Sequence, residues 1–316
     1  MFALVIDDGV LDWRERPDPV PGPGDVVVEV AAAGLNAADL LQRRGRYPAP
    51  PGVPADVPGL ELAGRVVSVG DGVDATWVGR RVAALTGGGA QATHCAVPVE
   101  HLLAVPEGVE LVEAAGFPEA FCTAHDALVT QGALTSGERL AVTGAAGGVG
   151  CAAVQIGRAL DATVVALTRD GRHHEALRAL GADETVVADG LAAIEPVDVV
   201  LELVGAATLP AVLPRVRAHG RILVVGVGSG SRVELDLLAV MGSRLTLTGS
   251  TLRGRTRTEK AEVVGRVARD FGPQWRDGAL RVPVAEVVDV REAARAYDAF
   301  ARPGKFGKIV LAVAPR

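Results

Sequence analysis

The sequence is poor in cysteine, with Cys95, Cys122 and Cys151 as its only three among 316 residues. An odd number at wide spacing excludes a disulfide scaffold and any CxxC zinc module. The sequence also lacks an apolar run of the ~18 residues that a membrane-spanning helix requires. Residues 1–6 lead straight into Asp7 and Asp8, without the basic segment of a secretion signal. We therefore expect a soluble, cytoplasmic protein with no membrane partner.

An excess of basic charge is missing as well, since 38 acidic side chains outnumber 32 basic ones and leave a formal net charge of −6. Nucleic-acid-binding proteins usually carry a basic stripe, so no nucleic-acid partner is expected. The chain is 49% hydrophobic, which is enough for a substantial core. At about 150 residues per domain, its length predicts two domains.

The pattern of apolar segments changes twice along the chain. Residues 1 to about 118 contain short β-branched runs between Pro-Gly turns, which predicts a compact β domain. From Pro118 to about Gly249, strand-like and helix-length segments alternate, as in an α/β domain with a doubly wound parallel sheet. The predicted strands there are Arg139–Thr143, Thr163–Thr168, Glu184–Val187, Val197–Leu203, Arg221–Val227 and Arg244–Gly249. The remaining tail is too short to fold alone, so we expect it to pack onto the first domain. Its predicted elements are helix Glu259–Phe271, strand Val284–Val290, helix Arg291–Ala301 and strand Lys308–Val313.

A glycine-rich turn gives the strongest chemical signal. It runs from Gly144 to Gly150, between a buried-strand pattern and an apolar-faced helix. Glycine lets the backbone approach a pyrophosphate closely, and the helix N-terminus offers unpaired N–H groups and a positive dipole end. The alternative is a purely structural turn. The strand before it, the helix after it and a second strand at the expected distance favour a dinucleotide, which would contact Gly144, Ala146, Gly147, Gly148, Val149 and Gly150.

The end of the next strand bears on which dinucleotide is bound. An NAD site normally places an acidic residue there to accept a hydrogen bond from the ribose 2′-OH. This chain has Thr168 and Arg169, with Arg172 nearby. A hydroxyl and guanidinium groups would hold a 2′-phosphate, so we expect NADPH. NAD remains an alternative because of Asp170. If the strand were two residues longer, the Asp170 carboxylate would stand where an NAD site has its acidic residue.

Several segments in one order resemble the zinc-independent quinone oxidoreductase branch of the medium-chain dehydrogenase/reductase superfamily, and the likeness covers essentially the whole chain. The glycine turn has that branch's AxxGGVG form, with Gly144 at its first position. The other matching segments are Gly34–Pro48, Pro58–Gly64, Glu100–Gly108, Glu113–Pro118 and Gly304–Leu311.

The resemblance implies a GroES-like β domain formed by residues 1–118 and 256–316, and a Rossmann NADP-binding domain formed by residues 119–255. It places the active site in a cleft where the two domains meet. We also assign Gly205, Gly226 and Leu252 to the cofactor site.

No zinc is expected. In metal-using relatives, a Cys stands near the position of Asn36 and a His stands where this chain has Leu60. Neither ligand is present here, and the cysteine cluster of a structural zinc site is missing. A catalytic zinc needs about three protein ligands and a structural zinc about four.

Without a metal, the chemistry would come from the cofactor and from orientation of the substrate. The resemblance places Asn36 beside the nicotinamide, where its amide could donate to a developing enolate or hydroquinone oxygen; the alternative is a turn residue. Tyr47 is a candidate proton donor or a wall of the cleft. Thr123 matches a family threonine that faces the cofactor, or else packs in a helix.

The resulting hypothesis is a reductase of quinones or α,β-unsaturated carbonyls. The alternative is a nucleotide-binding protein of the same fold with a sensing or structural role and little turnover. The expected partners are a small-molecule substrate, lying between the domains against Asn36 and Tyr47, and a second copy of the chain. A homodimer is expected because 244–249 would be the edge strand of the Rossmann sheet.

Overall fold

The computed structural model describes residues 1–313, except for the side chains of residues 188 and 192. It divides into two compact units. Unit 1 comprises residues 1–122 and 252–313, and unit 2 comprises residues 123–251. The division therefore falls a few residues inside the predicted boundaries of the 119–255 domain.

The strands and helices alternate along the chain, and both are numbered in chain order. The strands are β1 (Phe2–Asp7), β2 (Val10–Glu15), β3 (Asp25–Gly34), β4 (Glu61–Val69), β5 (Arg81–Leu85), β6 (His94–Pro98), β7 (Leu102–Ala104), β8 (Arg139–Val142), β9 (Thr163–Thr168), β10 (Glu184–Val187), β11 (Val197–Glu202), β12 (Val216–Val224), β13 (Thr246–Gly249), β14 (Val284–Asp289) and β15 (Lys308–Ala312). The α-helices are α1 (Ala37–Arg43), α2 (Leu111–Ala114), α3 (Pro118–His125), α4 (Gly148–Ala159), α5 (His174–Leu180), α6 (Leu209–Val212), α7 (Leu237–Ser243), α8 (Arg257–Arg276) and α9 (Ala293–Ala301).

Unit 1 is built on a mixed sheet with the order β14-β15-β3-β4-β5-β7, and β6 also pairs with β3. Alternate residues of β3, namely Val26, Val28 and Val30, are buried in one core cluster with Leu62 and Val66 of β4. This is the period of two that places one face of a strand in the core. The tail belongs to this unit, because β15 pairs antiparallel with β3.

Unit 2 is built on a parallel sheet with the order β10-β9-β8-β11-β12-β13. Its central strands read as nearly continuous apolar runs because both faces of the sheet are covered, and Leu140, Ala141 and Val142 of β8 are all fully buried. The chain passes from β8 to β9 and β10 on one side, and then returns to β11 on the other. Ligands of doubly wound folds bind at such a switch point, at the carboxyl ends of the strands.

Four predicted strands of unit 2 have different limits in the structure. β8 and β11 each end one residue earlier than predicted, at Val142 and Glu202. β12 begins at Val216 and ends at Val224, earlier at both ends than the predicted 221–227. β13 begins at Thr246 because Arg244 adopts a left-handed conformation, with φ of 50°, and caps α7. No helix within residues 1–313 combines the length and the apolar composition needed to cross a membrane.

Candidate functional site

The glycine turn of unit 2 follows β8 and leads directly into α4. Gly144 has a φ of +60°, in the left-handed region that glycine adopts readily. Gly150 lies so close to the turn that an added Cβ would be 2.6 Å from the Gly144 oxygen. Gly147 is the N-cap of α4 and Gly148 its first residue. Glycine is therefore required here for the conformation and for the close approach of helix to turn.

The outer side of this turn can receive an anion. The first amides of a helix have no carbonyl partner within it, and the dipole makes that end positive. The open side of the turn is formed by half-buried residues that were all predicted to contact the cofactor: Gly144, Ala146, Gly147, Gly148 and Val149. A pyrophosphate fits this cradle, whereas the predicted Gly150 is buried beneath it.

Glu202 organises the neighbouring loop. Its side chain is fully buried at the end of β11. Oε1 accepts hydrogen bonds from the Thr143 hydroxyl at 2.8 Å, the Gly205 amide at 2.8 Å and the Thr208 hydroxyl at 2.8 Å. The carboxylate therefore ties the residue that follows β8 to the loop that follows β11.

The predicted cofactor residues Gly205 and Gly226 lie where the backbone is crowded. Gly205 has a φ of +101°, and an added Cβ would lie 2.5 Å from the Gly230 oxygen. At Gly226, an added Cβ would lie 2.3 Å from the Leu203 oxygen. Both positions thus exclude a side chain for local reasons. Leu252 is buried and is the first residue of the second segment of unit 1.

The residues predicted to recognise a 2′-phosphate differ in availability. Thr168 ends β9, and its hydroxyl donates to the Asp170 carbonyl at 2.9 Å and also lies 2.9 Å from His174 Nε2. Arg172 forms an ion pair with the Asp170 carboxylate. Arg169 is exposed, and no carboxylate lies within 4 Å of it in the described part of the chain. Arg169 is therefore the most available cation in this loop.

In unit 1, the start of α1 is fixed by a buried carboxylate. Asp39 Oδ2 accepts a hydrogen bond from the backbone N–H of Asn36 at 2.8 Å, and Oδ1 accepts one from the backbone N–H of Gly59 at 3.0 Å. Burial raises the pKa of Asp39 to about 6, although both hydrogen bonds and the charges of Lys308 and Arg253 oppose the shift. Asp39 thus determines how Asn36 enters the helix.

The Asn36 carboxamide is held at both ends. Its Oδ1 accepts from Lys308 Nζ at 2.6 Å, and its Nδ2 donates to Glu61 Oε1 at 2.9 Å. Lys308 and Glu61 also form a buried ion pair. The orientation of Asn36 is consequently set by charged residues from β4 and β15.

Tyr47 follows α1 and is half-buried. Its ring lies 4.8 Å from the Arg253 guanidinium carbon. Burial raises the pKa of Tyr47, the charge of Glu119 adds to the increase, and Arg253 opposes it. Within residues 1–313 the hydroxyl has no hydrogen-bond partner. The phenol is thus protonated at neutral pH and able to donate a hydrogen bond.

Asn36 is the N-cap of α1, and Tyr47 lies four residues after this helix ends; both belong to unit 1. Thr123 lies on α3, is buried, and is the first residue of unit 2. Across the described residues, no group of three or more His, Cys, Asp and Glu side chains could hold a metal ion. The absence of zinc stays a prediction.

Sequence reasoning missed Glu61, Lys308, Asp39, Arg253 and Glu202. Glu61, Lys308 and Arg253 bond to residues distant in sequence, so no local motif marks them. Asp39 and Glu202 each also accept from a backbone amide three positions away. One signal was present: the chain has 29 arginines but only three lysines. Two of those lysines, Lys260 and Lys308, are buried. A rare residue type at a buried position is a reasonable indicator of a specific role.

Two family models match most of the chain. Residues 22–107 match the alcohol dehydrogenase GroES-like domain, and residues 148–269 match the zinc-binding dehydrogenase model.

Individual relatives align over nearly the full length. The synaptic vesicle membrane protein VAT-1 homolog of Rattus norvegicus is 29% identical, with 96% of this chain and 81% of that protein aligned. Quinone oxidoreductase-like protein 2 of Bos taurus is 28% identical, with 94% and 87% aligned. A mycobacterial protein solved in complex with NADPH superposes with a TM-score of 0.87 at 26% identity, over 99% of this chain and 100% of that one.

Proposed function

Because the chain belongs to the medium-chain dehydrogenase/reductase superfamily of oxidoreductases, we propose that it is an NADPH-dependent reductase of quinones or α,β-unsaturated carbonyl compounds that uses no metal. The family and the fold class predicted from the sequence, a GroES-like β domain with a Rossmann domain, are thereby confirmed. The reaction, the choice of NADPH and the independence from zinc are the proposal.

The observation that carries the proposal is the glycine turn at the carboxyl end of β8. It provides a cradle for a pyrophosphate at the N-terminus of α4, and the buried Glu202 keeps the adjoining loop with Gly205 in place. Bound NADPH supplies a hydride for an electron-poor carbon of the substrate. The protein contributes binding, alignment and exclusion of water.

Support for NADPH over NADH comes from the loop after β9. Thr168, the last residue of the strand, carries no negative charge, and Arg169 is exposed and unpaired by any described carboxylate. A guanidinium binds a phosphate through charge-assisted hydrogen bonds. The mycobacterial neighbour was solved with NADPH.

Two residues of unit 1 are proposed to act on the substrate. Hydride addition leaves an oxyanion, which must be stabilised and then protonated. Tyr47 has a protonated hydroxyl without an internal partner, so it is the proposed proton donor. Asn36 is held by Lys308 and Glu61 and is the proposed group that orients the carbonyl. Thr123 is the next candidate if neither residue acts.

The deciding experiment follows NADPH oxidation with 1,2-quinones, 1,4-quinones, enones and enoyl thioesters side by side, with NADH as the matched cofactor. Turnover of one class with NADPH supports the proposal and names the substrate. Tight NADPH binding without turnover of any class would support the alternative, a nucleotide-binding protein with a sensing or structural role. Failure to bind either cofactor would contradict both.

A further inference from the structure

Two buried cations of unit 1 have no acidic partner. Arg253 is 5% exposed and Lys260 is 6% exposed. Among residues 1–313, no carboxylate oxygen lies within 4 Å of either charged group. Lys308, by contrast, is paired with Glu61. Burying a charge without a partner is costly, so an uncompensated pair of like charges requires an explanation.

Arg253 is oriented by neutral groups. Its Nε donates to the Gly87 carbonyl at 2.9 Å, Nη1 to the Tyr47 carbonyl at 2.9 Å and Nη2 to Gln42 Oε1 at 2.6 Å. These three bonds fix the guanidinium but leave its charge uncompensated. A guanidinium has five N–H donors, so two remain for a ligand.

The Lys260 ammonium lies beside the same glycine. It comes from the first turn of α8, and its Nζ donates no hydrogen bond within the described residues. A Cβ added to Gly87 would lie 3.6 Å from Lys260 Nζ, 3.1 Å from Pro50 and 3.4 Å from Val53. Any side chain at Gly87 would therefore crowd Pro50 and lie against the Lys260 ammonium.

The surrounding charges do not neutralise the two cations. Burial lowers the pKa of Lys260, Arg253 lowers it further, and only Glu119 opposes the shift. Burial also lowers the pKa of Arg253, and the charges of Asp39, Tyr47 and Glu119 oppose that shift. The chain uses arginine for nearly all its cations, yet keeps a lysine here. An ammonium is a compact point charge, which suits a small anion.

We propose that Lys260 and Arg253 form a subsite for a carboxylate or phosphate group of the substrate, so that the compound reduced is an anionic quinone or enone. The inference rests on the proposed function and narrows its substrate class. The Arg253 guanidinium also contacts Tyr47, the proposed proton donor: it donates to the Tyr47 carbonyl and lies against the Tyr47 ring. The anionic group would therefore be held on the Tyr47 side of unit 1.

The test measures kcat/KM for 4-oxopent-2-enoate and for its methyl ester and compares the acid-to-ester ratio between variants, because the different intrinsic reactivity of the two enones cancels in that comparison. Lys260→Met should reduce the acid-to-ester ratio about tenfold or more, the scale of one charge-assisted hydrogen bond. Arg269→Met removes an exposed cation from the same helix and should leave the ratio unchanged. If the acid-to-ester ratio falls equally in Lys260→Met and in Arg269→Met, the subsite proposal is overturned.

A second set of variants separates binding from folding. Lys260→Arg keeps the charge and should reduce the acid-to-ester ratio less than Lys260→Met does. Lys260→Met should have a Tm at or above that of the wild type, because it removes an uncompensated buried charge. A lower Tm with an unchanged acid-to-ester ratio would show that Lys260 is structural and would overturn the proposal.

Two other sources of the anion are distinguished directly. If the cations belong to the cofactor site, Lys260→Met will weaken NADPH binding, measured by fluorescence, while the acid-to-ester ratio stays constant. If they bind a free anion, inorganic phosphate will raise the Tm of the wild type but not of Lys260→Met, again without a change in the ratio. Either result overturns the substrate assignment. If neither enone is reduced, the proposed function fails for this class, but calorimetric binding of the acid to wild type and Lys260→Met still decides whether the subsite exists.

Discussion

Arg172 Nε donates a 2.8 Å hydrogen bond to Asp170 Oδ1, two residues after β9 ends. This bond is the main reason that the pKa of Asp170 is lowered. The two arginines predicted to hold a 2′-phosphate therefore differ: Arg172 already has a carboxylate partner, and Arg169 has none within the described residues. The pairing also places a negative charge in the loop where a phosphate is expected.

We therefore expect Arg169→Ala to weaken NADPH binding by about 1–3 kcal/mol, the scale of a hydrogen bond to a charged group. NADH lacks the 2′-phosphate, so its affinity should hardly change. Fluorescence titration with both cofactors measures this. Tighter binding of NADH than of NADPH by the wild-type protein would reject the NADPH assignment.

Asp170→Asn is the matched variant in the same loop. It removes the negative charge and releases Arg172, so it should raise the NADPH-to-NADH affinity ratio, opposite to the effect of Arg169→Ala. If the ratio falls, Asp170 positions Arg172 for the phosphate instead of competing with it.

The second prediction concerns metal. We expect the purified protein to contain no stoichiometric zinc and to keep its activity in the presence of a chelator. The reason is the ligand set that the sequence resemblance implies, with Asn36 near one ligand position of metal-using relatives and Leu60 at another. Elemental analysis that finds one tightly held zinc per chain would contradict the prediction.

The third prediction separates the roles of Tyr47 and Asn36. Tyr47→Phe removes only the hydroxyl, so a large loss of kcat supports proton donation, whereas a change confined to KM supports a packing role. Asn36→Ala should lower turnover roughly ten- to a hundredfold and leave NADPH affinity almost unchanged.

Because Asn36 contacts the Lys308–Glu61 ion pair, the Tm of the Asn36→Ala variant is the necessary control. If both variants stay within about twofold of the wild-type kinetics, the site assignment is wrong and Thr123 should be tested next.

The fourth prediction concerns pH and Asp39. Its pKa is raised from 3.8 to about 6 in the folded state, so the folded protein binds more protons than the unfolded chain between these values. The contribution of this group is therefore most favourable below pH 3.8 and is lost as the pH rises through about 6.

Asp39→Asn lacks this titration. The free energy of unfolding of the variant relative to wild type should rise by about 2 kcal/mol between about pH 4.5 and about pH 7.5. Urea unfolding at both pH values measures the change. A difference that is independent of pH would show that the pKa of Asp39 is not raised.

The fifth prediction is the homodimer. β13 is the last strand of the unit 2 sheet, and the apolar residues of β13 and α7 are exposed, with Leu237 at 68%, Leu238 at 77%, Met241 at 70% and Leu247 at 47%. Exposed apolar patches beside an unpaired strand edge are typical of interfaces. Light scattering should show a dimer at micromolar concentration that Met241→Glu dissociates. Val20→Glu, at an exposed apolar residue of unit 1, should not change the mass.

Much of unit 2 could be predicted because its signals are local. β9 and β10 coincide with the predicted 163–168 and 184–187, since their apolar runs end at clear turns. The glycine turn was recognisable because strand, turn and helix are contiguous. The start of β13 was wrong because the left-handed Arg244 gives no signal in the sequence.

The interactions of the unit 1 site could not be predicted. Asn36 and Lys308 are separated by 272 positions, and Gln42 and Arg253 by 211. Only the pairing of β15 with β3 and the packing of the tail bring such residues together. Sequence patterns identify which residues are unusual, but not which of them meet.

The pairing of β15 with β3 also has a consequence for how the protein forms during synthesis. Residues 123–251 leave the ribosome before residues 308–312 are made, so the parallel sheet can assemble while β3 still has one edge open. Domains generally fold as units as they emerge. The Rossmann unit is therefore expected to form first, and the unit that carries Asn36 and Tyr47 gains Lys308 only when the last strand is released. A nascent chain can therefore form the glycine turn of unit 2 before the hydrogen bonds around Asn36 are complete.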